Sequence, residues 1–516
     1  MGIGFLHQPV PSRRSGQIPA GGPAGGIAMK VLFATSEISP FSRAGGLADV
    51  SHDLTVTLAG LGHHISVVTP KYRQVRNAGI PLEPVPASLE VPISWMKKPA
   101  RVFSSVLDRQ VTVYFIERDD LYDREGLYGN EFGDYQDNAE RFIFFSRAAV
   151  ELCRALDLRP DVIHGNDWQT GLIPVYLKSL YAEDPALKSV ATLFTIHNLG
   201  YQGLFWHYDL HLTGLGWEYF TPSALEFFGK LNLLKGGIVF ADLLNTVSPT
   251  YRKEILTPAY GFGLDGLLRS REKDLHAVLN GVNYRVWDPA HDPHIAAPYT
   301  KERPENKKVC KAQLQEIFQL KKRPDIPIIA VISRLLDRKG LDLIGRIFPR
   351  LMDLQVEVVF MGEGAETYHS WVREVKERYP QLIGVVEEYQ GPMAHRIQAG
   401  ADMLLMPSQY EPCGLEQMVA LRYGTIPIVR AVGGLEDTVE DYQAKTDQGT
   451  GFKFKEYEGE KLLQALQQAV GVYRDKPRWK RLMERAMERD FSWEHSAAAY
   501  QGLYEKAVGK KRKQTG

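Results

Sequence analysis

Two glycine pairs stand where this chain could seat an anion. The first lies in Arg43-Ala44-Gly45-Gly46-Leu47-Ala48-Asp49-Val50, between the apolar run Lys30 to Thr35 and a segment with apolar residues at Leu47, Val50, Leu54 and Leu58. That spacing is the signature of an amphipathic helix. A helix that opens on two glycines presents unpaired N–H groups and the positive end of its dipole, with no side chain to hold a diphosphate away. Arg43 stands beside this seat. Alone, such a pair is more often a tight strand-to-helix turn without a ligand. Here nearly the same words return as Gly433-Gly434-Leu435-Glu436-Asp437-Thr438-Val439, which predicts two similar halves facing one cleft.

Other reactive side chains fall at the ends of apolar runs. Asp167-Trp168 follows a run ending at His164, and His197-Asn198 follows Phe194-Thr195-Ile196. Arg334 closes Val331-Ile332-Ser333, and Lys339-Gly340-Leu341-Asp342 opens the next helical segment. Glu411-Pro412-Cys413-Gly414-Leu415 follows Met403 to Met406. Each has an ordinary reading as well: Asp167 and Glu411 as helix caps, His197 as a hydrogen-bonded core histidine, Arg334 and Lys339 as a solvated face. Their shared placement favours a site.

The elements that position them alternate β-rich and helical runs, the pattern of parallel sheets covered on both faces. Expected strands in the first half are 31–35, 65–69, 111–116, 162–164, 193–197, 243–248 and 277–279, and in the second half 328–333, 356–361, 383–386, 403–406 and 426–429. The polar stretch from Asp288 to Pro327 is the natural boundary. The expected fold is therefore α/β, with two doubly wound Rossmann-like domains facing an interdomain cleft. In such sheets ligands bind beyond the carboxyl ends of the strands. A dinucleotide oxidoreductase would need Gly-x-Gly-x-x-Gly after the first strand, and Ala44-Gly45-Gly46-Leu47 does not supply it.

Bulk properties fit a large enzyme. With 516 residues the chain exceeds what one core usually fills. Lys+Arg equals Asp+Glu at 62 each, which argues against a general binder of nucleic acid or of a membrane surface. Three cysteines without metal-like spacing suit a reducing, cytoplasmic setting, and no apolar run is long enough to span a membrane. Residues 1–28 are rich in glycine and proline and read as a disordered extension, or as sequence upstream of a start at Met29. Lys510-Lys511-Arg512-Lys513 reads as a solvated basic tail.

From Met29 to Tyr504 the chain resembles the glycogen/starch synthase family of retaining glucosyltransferases, which have the GT-B fold. The resemblance rests on Thr35-Ser36-Glu37, His197-Asn198-Leu199-Gly200-Tyr201-Gln202-Gly203, Thr246-Val247-Ser248-Pro249-Thr250-Tyr251 and Tyr260-Gly261-Phe262-Gly263-Leu264-Asp265-Gly266. It continues through Asn280-Gly281-Val282-Asn283, Ser333-Arg334-Leu335 with Lys339-Gly340, Pro407 to Leu415, and Gly433-Gly434-Leu435. Related sucrose- and trehalose-type transferases carry two glutamates eight positions apart; here the partner position of Glu411 is Val419. The resemblance implies an acceptor-side domain over 29–290, a nucleotide-sugar domain over 291–490, and a C-terminal helix with the basic tail over 491–516 that returns to the first domain.

The same resemblance implies ADP-glucose as donor and an α-1,4-glucan or glycogen as acceptor, with no cofactor and no metal. Arg334 and Lys339 would neutralise the departing diphosphate, aided by the N–H groups of Gly434 and Leu435 beside Gly433. Glu411 would hydrogen-bond glucose hydroxyls and counter positive charge on the ring, while His197, Asn280 and Asp167 hold the sugar from the other domain. Arg43, Gly45, Gly46, Tyr128, Cys413, Gly414 and Leu415 would complete the substrate contacts. A site so divided requires the domains to close. Two alternatives stay open: a phosphorylase-like enzyme using a pyridoxal phosphate lysine, and a catalytically silent glucan-binding protein.

One position departs from the family, which usually has Lys where this chain has Arg43. A forked guanidinium and a compact ammonium bind phosphate differently. Arg43→Lys is therefore expected to retain activity while changing donor KM or the preference between ADP- and UDP-glucose. Identical constants for both donors would show that Arg43 does not contact the nucleotide sugar.

Overall fold

The computed structural model describes residues 28–515; the expectation for residues 1–27 lies outside them. Two parallel sheets dominate. In the first, strands Leu275–Ala277, Leu243–Thr246, Ala191–Ile196, Val162–Asn166, Lys30–Ala34, His64–Pro70 and Val111–Glu117 lie side by side in that order. An antiparallel pair, Met96–Leu107 and Glu83–Ile93, extends the last edge. The second sheet is wholly parallel and runs Ile383–Val386, Glu357–Met361, Ile328–Ile332, Met403–Met406, Ile426–Arg430, Phe452–Phe454. The expected strands are present, with the 277–279 run displaced to Leu275–Ala277.

The central strands show why the chemistry gathers where it does. Lys30–Ala34 pairs with His64–Pro70 on one side and Val162–Asn166 on the other, so the order of the chain reverses there. Ile328–Ile332 likewise separates Glu357–Met361 from Met403–Met406. Loops leaving these neighbours diverge to opposite faces of the sheet and open a crevice between them. The Gly45 loop, Asp167, Arg334 and Glu411 all follow such strands. Both strand sets are buried on each face, as their continuous Val/Ile/Leu runs require.

The helix Trp493–Thr515 belongs to the first core although it follows the second domain. Trp493, Ala497, Tyr500, Tyr504 and Ala507 are buried among that core's strands. The Tyr500 hydroxyl accepts from Asn245 Nδ2 at 3.0 Å. The Tyr504 hydroxyl lies 2.9 Å from His164 Nδ1, and His164 Nε2 lies 2.7 Å from Thr195 Oγ1. Burial holds the His164 pKa well below its ordinary value, so the ring stays neutral. Of the 510–513 run, Arg512 and Lys513 are exposed as expected, but the first two lysines are not a solvated tail. Lys510 pairs with Asp274 and donates to the Asp242 carbonyl at 2.9 Å, Lys511 is buried, and the helix continues through them.

The chain thus crosses between domains twice, side by side. Val282 N–H donates to the Phe491 carbonyl at 2.7 Å. Asp53, on the helix Leu47–Gly60, accepts from Asn283 Nδ2 at 2.8 Å and from Trp493 Nε1 at 3.2 Å, tying both crossings to the first domain. Because buried His164 depends on Tyr504, Tyr504→Phe is expected to cost about 1–3 kcal/mol, the weight of leaving a buried polar group unpaired. Denaturant unfolding checks this, and an unchanged midpoint would refute it.

Candidate active site

The second domain brings Lys339 and Glu411 together. Lys339 Nζ lies 2.5 Å from Glu411 Oε2, and Ser408 Oγ donates to the same oxygen at 3.1 Å. Both side chains are largely buried, so each supplies the counter-charge the other needs. Local backbone makes the approach possible. Gly340 has φ +77°, and a Cβ there would lie 2.2 Å from the Pro407 carbonyl oxygen, so only glycine lets the Lys339 loop press against the loop carrying Glu411.

Gly433 and Gly434 press on that loop from the other side. Added Cβ atoms would meet the Glu411 carbonyl oxygen at 1.9 Å and the Cys413 carbonyl oxygen at 2.0 Å. The N–H groups of Gly434 and Leu435, expected to meet the diphosphate, are engaged within the protein in this form, as is that of Gly433. Gly434 N–H donates to the Glu411 carbonyl at 3.1 Å, Leu435 N–H to the Val432 carbonyl at 3.0 Å, and Gly433 N–H to Glu254 Oε1 at 3.0 Å. In this form they shape the Glu411 loop, and none is open to an anion. Arg334 is exposed, and its guanidinium forms no hydrogen bond or ion pair within the described residues, although its carbonyl accepts from Leu336 N–H at 3.0 Å. It is a cation without a counter-charge.

The first domain contributes a strained pair. Asp167 has φ +55° and ψ −177°, a region populated almost only by glycine. The strain turns its carboxylate onto the next strand end, where Oδ1 accepts from the His197 N–H at 2.8 Å. Burial pushes the Asp167 carboxyl up to about 7, against the lowering effect of the His197 and Asn198 N–H groups. Burial also pushes His197 down to about 3. Its Nε2 lies 2.9 Å from Asn166 Oδ1, which assigns the proton to Nε2 and leaves Nδ1 as an acceptor.

The Gly-Gly seat is filled from within. Glu37 Oε2 accepts from the N–H groups of Ala44 and Gly45, each at 2.7 Å, while Glu37 Oε1 accepts from the Tyr128 hydroxyl at 2.7 Å. Tyr128 therefore holds Glu37. It is itself placed by Asn138 Nδ2 on its carbonyl at 2.8 Å. Arg43 turns to Asp49, with Nη1 2.8 Å from Oδ2, and touches neither Glu411 nor Lys339. A cavity of about 370 Å³ lies behind it, between Asp53, Asn283, Trp287 and Leu415.

Loops of the two domains touch beside these residues. Asn280, 6% exposed, bonds the Cys413 thiol through its backbone and has a buried Oδ1 without a partner. Burial pushes that thiol up to about 12. A Cβ on Gly46 would touch Leu415, and the Arg338 guanidinium lies 5.5 Å over the Tyr201 ring. Gly414 turns the loop at φ +71°. Glu37, Ser408, Glu254 and Arg338 had no assigned part in the sequence reading. Glu37 carried the same strand-end signal as Asp167, whereas Glu254 carried none. Glu416, pushed up to about 7 by burial, was missed because it reads as an ordinary first-turn helix acid.

Two doubly wound domains with their reactive loops opposed across a cleft define a glycosyltransferase of the GT-B fold, and comparison with known proteins agrees. Residues 30–270 match the starch synthase catalytic domain family and residues 313–486 the group 1 glycosyl transferases. The glycogen synthase of Anaeromyxobacter dehalogenans (strain 2CP-1) is 46% identical over 482 residues, covering 92% of this chain and 98% of its own. Glycogen synthase 1 of Geobacter metallireducens is 43% identical over 94% of this chain and 97% of its own. The solved catalytic domain of starch synthase IV from Arabidopsis thaliana, bound to ADP and acarbose, superposes with a TM-score of 0.86 at 30% identity, covering 94% of this chain and all of that one. The chain belongs to the glycogen/starch synthase family.

Asp167 generates a pH prediction. Its folded pKa of about 7 lies above the ordinary 3.8, so its contribution to stability is complete below pH 3.8 and is lost as pH rises through 7. Asp167→Asn should therefore stabilise the fold at pH 8 by up to about 4 kcal/mol, each tenfold change in proton affinity being worth about 1.4 kcal/mol. The gain should vanish near pH 4. Denaturant unfolding at both pH values tests it, and a gain of equal size at both would refute the assignment.

Proposed function

We propose that the enzyme transfers glucose from ADP-glucose to the non-reducing end of an α-1,4-glucan such as glycogen, with retention at the anomeric carbon. One observation carries the reading: a largely buried Lys339–Glu411 pair with unpaired Arg334 lies at the strand ends of one domain, and Asp167 with neutral His197 at the strand ends of the other. Cleaving a sugar–diphosphate bond puts negative charge on the leaving group and positive character on the ring, and those are the charges this arrangement can answer.

In this reading the donor diphosphate draws Lys339 away from Glu411, joined by Arg334. Glu411, freed of its cation, accepts hydrogen bonds from glucose hydroxyls and faces the developing positive charge. His197 Nδ1 accepts from the sugar, and the Asn280 carboxamide oxygen, buried and unpaired, offers a further acceptor. The C1–O bond breaks with both electrons passing to the phosphate oxygen. The acceptor hydroxyl attacks C1 from the same face, and its proton passes to the departing phosphate. Front-face transfer is the reading adopted, because the departing phosphate itself then takes the acceptor proton and no second carboxylate is needed beside Glu411. A cytoplasmic site of action is supported by three free, buried cysteines.

Incorporation of label from ADP-glucose into precipitable glycogen tests the activity directly. Arg334→Ala and Lys339→Ala are each expected to lower turnover by about two to three decades, the usual weight of one preorganised donor at developing charge, with glucan binding unchanged. Near-normal turnover in both variants would sink the residue assignment.

A further inference from the structure

Two short helices meet across the domain boundary, Pro249–Glu254 from the first domain and Gly433–Thr438 from the second. Each carries in its last turn a carboxylate that reaches the beginning of the other. Asp437 Oδ2 accepts from the Thr250 N–H at 2.9 Å and Asp437 Oδ1 from the Thr250 hydroxyl at 2.6 Å. In return, Glu254 Oε1 accepts from the Gly433 N–H at 3.0 Å. The helices therefore cap one another's N-termini, with one acid supplied by each domain.

Burial, with Asp437 and Glu436 nearby, pushes Glu254 above the usual carboxylate range, while the Gly433 N–H and Arg430 oppose that shift; the helix ends add a further bias toward docking. A carboxylate near the C-terminus of its own helix faces the negative end of that dipole, whereas at a foreign N-terminus it faces the positive end and unpaired N–H groups. Asp437 and Glu254 are thus poorly placed when the domains part and well placed when they meet. Glu254 has little else to hold it, since its Oε2 is buried with no hydrogen-bond partner. The capped helix is also the one whose first residues press on the Glu411 loop: Gly433 lies against the Glu411 carbonyl, and Gly434 N–H donates to it.

We propose that Glu254 and Asp437 are positioning residues for glucosyl transfer, a reciprocal clasp that holds the domains closed and, through Gly433 and Gly434, fixes the loop bearing Glu411. The proposal rests on the reading of the Glu411 site given above. Neither residue need touch the substrate. Their effect passes through the domain interface, so it should appear in the reaction and in the spacing of the domains together.

The test uses the full chain with Glu254→Ala, Asp437→Ala and the double variant, with Glu254→Gln and Asp437→Asn as conservative replacements whose amide oxygens can still accept. Each alanine variant is expected to lower kcat/KM for ADP-glucose by about 10- to 100-fold, the weight of a hydrogen bond to a charged group. The double variant should be little worse than the poorer single one, because breaking either half opens the clasp. Gln and Asn should recover part of the loss, and small-angle scattering should show a larger radius of gyration in the alanine variants than in the wild type. Near-wild-type kcat/KM in both alanine variants, simply additive losses, or an unchanged radius of gyration would overturn the clasp. Should the wild type fail to use ADP-glucose, the donor assignment falls instead, and scattering of the unliganded proteins alone decides the clasp.

Discussion

A carboxylate can be buried only where a cation or a set of hydrogen-bond donors meets it, and the Glu411–Lys339 contact is the point around which the second domain's loops are arranged. Three backbone segments converge there. The Lys339 loop presses on Pro407 through Gly340, and the Gly433-Gly434 turn presses on the Glu411 and Cys413 carbonyls. Neither approach leaves room for a Cβ. The ion pair and the glycines are therefore one device: the charges hold the loops together, and the missing side chains let the charges meet.

The resting enzyme satisfies its anion seats with its own acids. Glu37 occupies the N–H groups of Ala44 and Gly45, and Glu411 the Lys339 ammonium. Bare donors facing a dry cleft would each carry a desolvation penalty, and these contacts remove it. Ligand binding is then an exchange of one anion for another rather than the filling of an empty charge. Such an exchange favours a ligand with more negative charge than a single carboxylate, as a diphosphate has.

Much of this was legible in the sequence, and the reasons differ by element. Parallel core strands read clearly because burial on both faces gives continuous apolar runs, and strand ends then located Asp167, His197, Arg334 and Glu411. The Glu83–Ile93 strand did not read as one, for it contains Pro84, Pro86 and Pro92. It lies on the sheet edge, where a residue without an N–H is tolerated. Lys510 looked solvated because its partner Asp274 is distant in sequence, and Glu254 looked idle for the same reason. Motif reading finds residues whose neighbours in the chain explain them. It misses those explained by a neighbour in space.

The helix that returns to the first domain reverses the usual order of assembly. During synthesis a leading domain ordinarily packs while the rest of the chain is still being made. Here the leading sheet lacks Trp493, Tyr500 and Tyr504 until the whole second domain has left the ribosome, and His164 and Asn245 wait without their tyrosine partners. The second domain, whose own core closes by Met487, can settle first. The half that is translated first is thus the half that is finished last, and through that interval its unfilled seam is exposed to other chains.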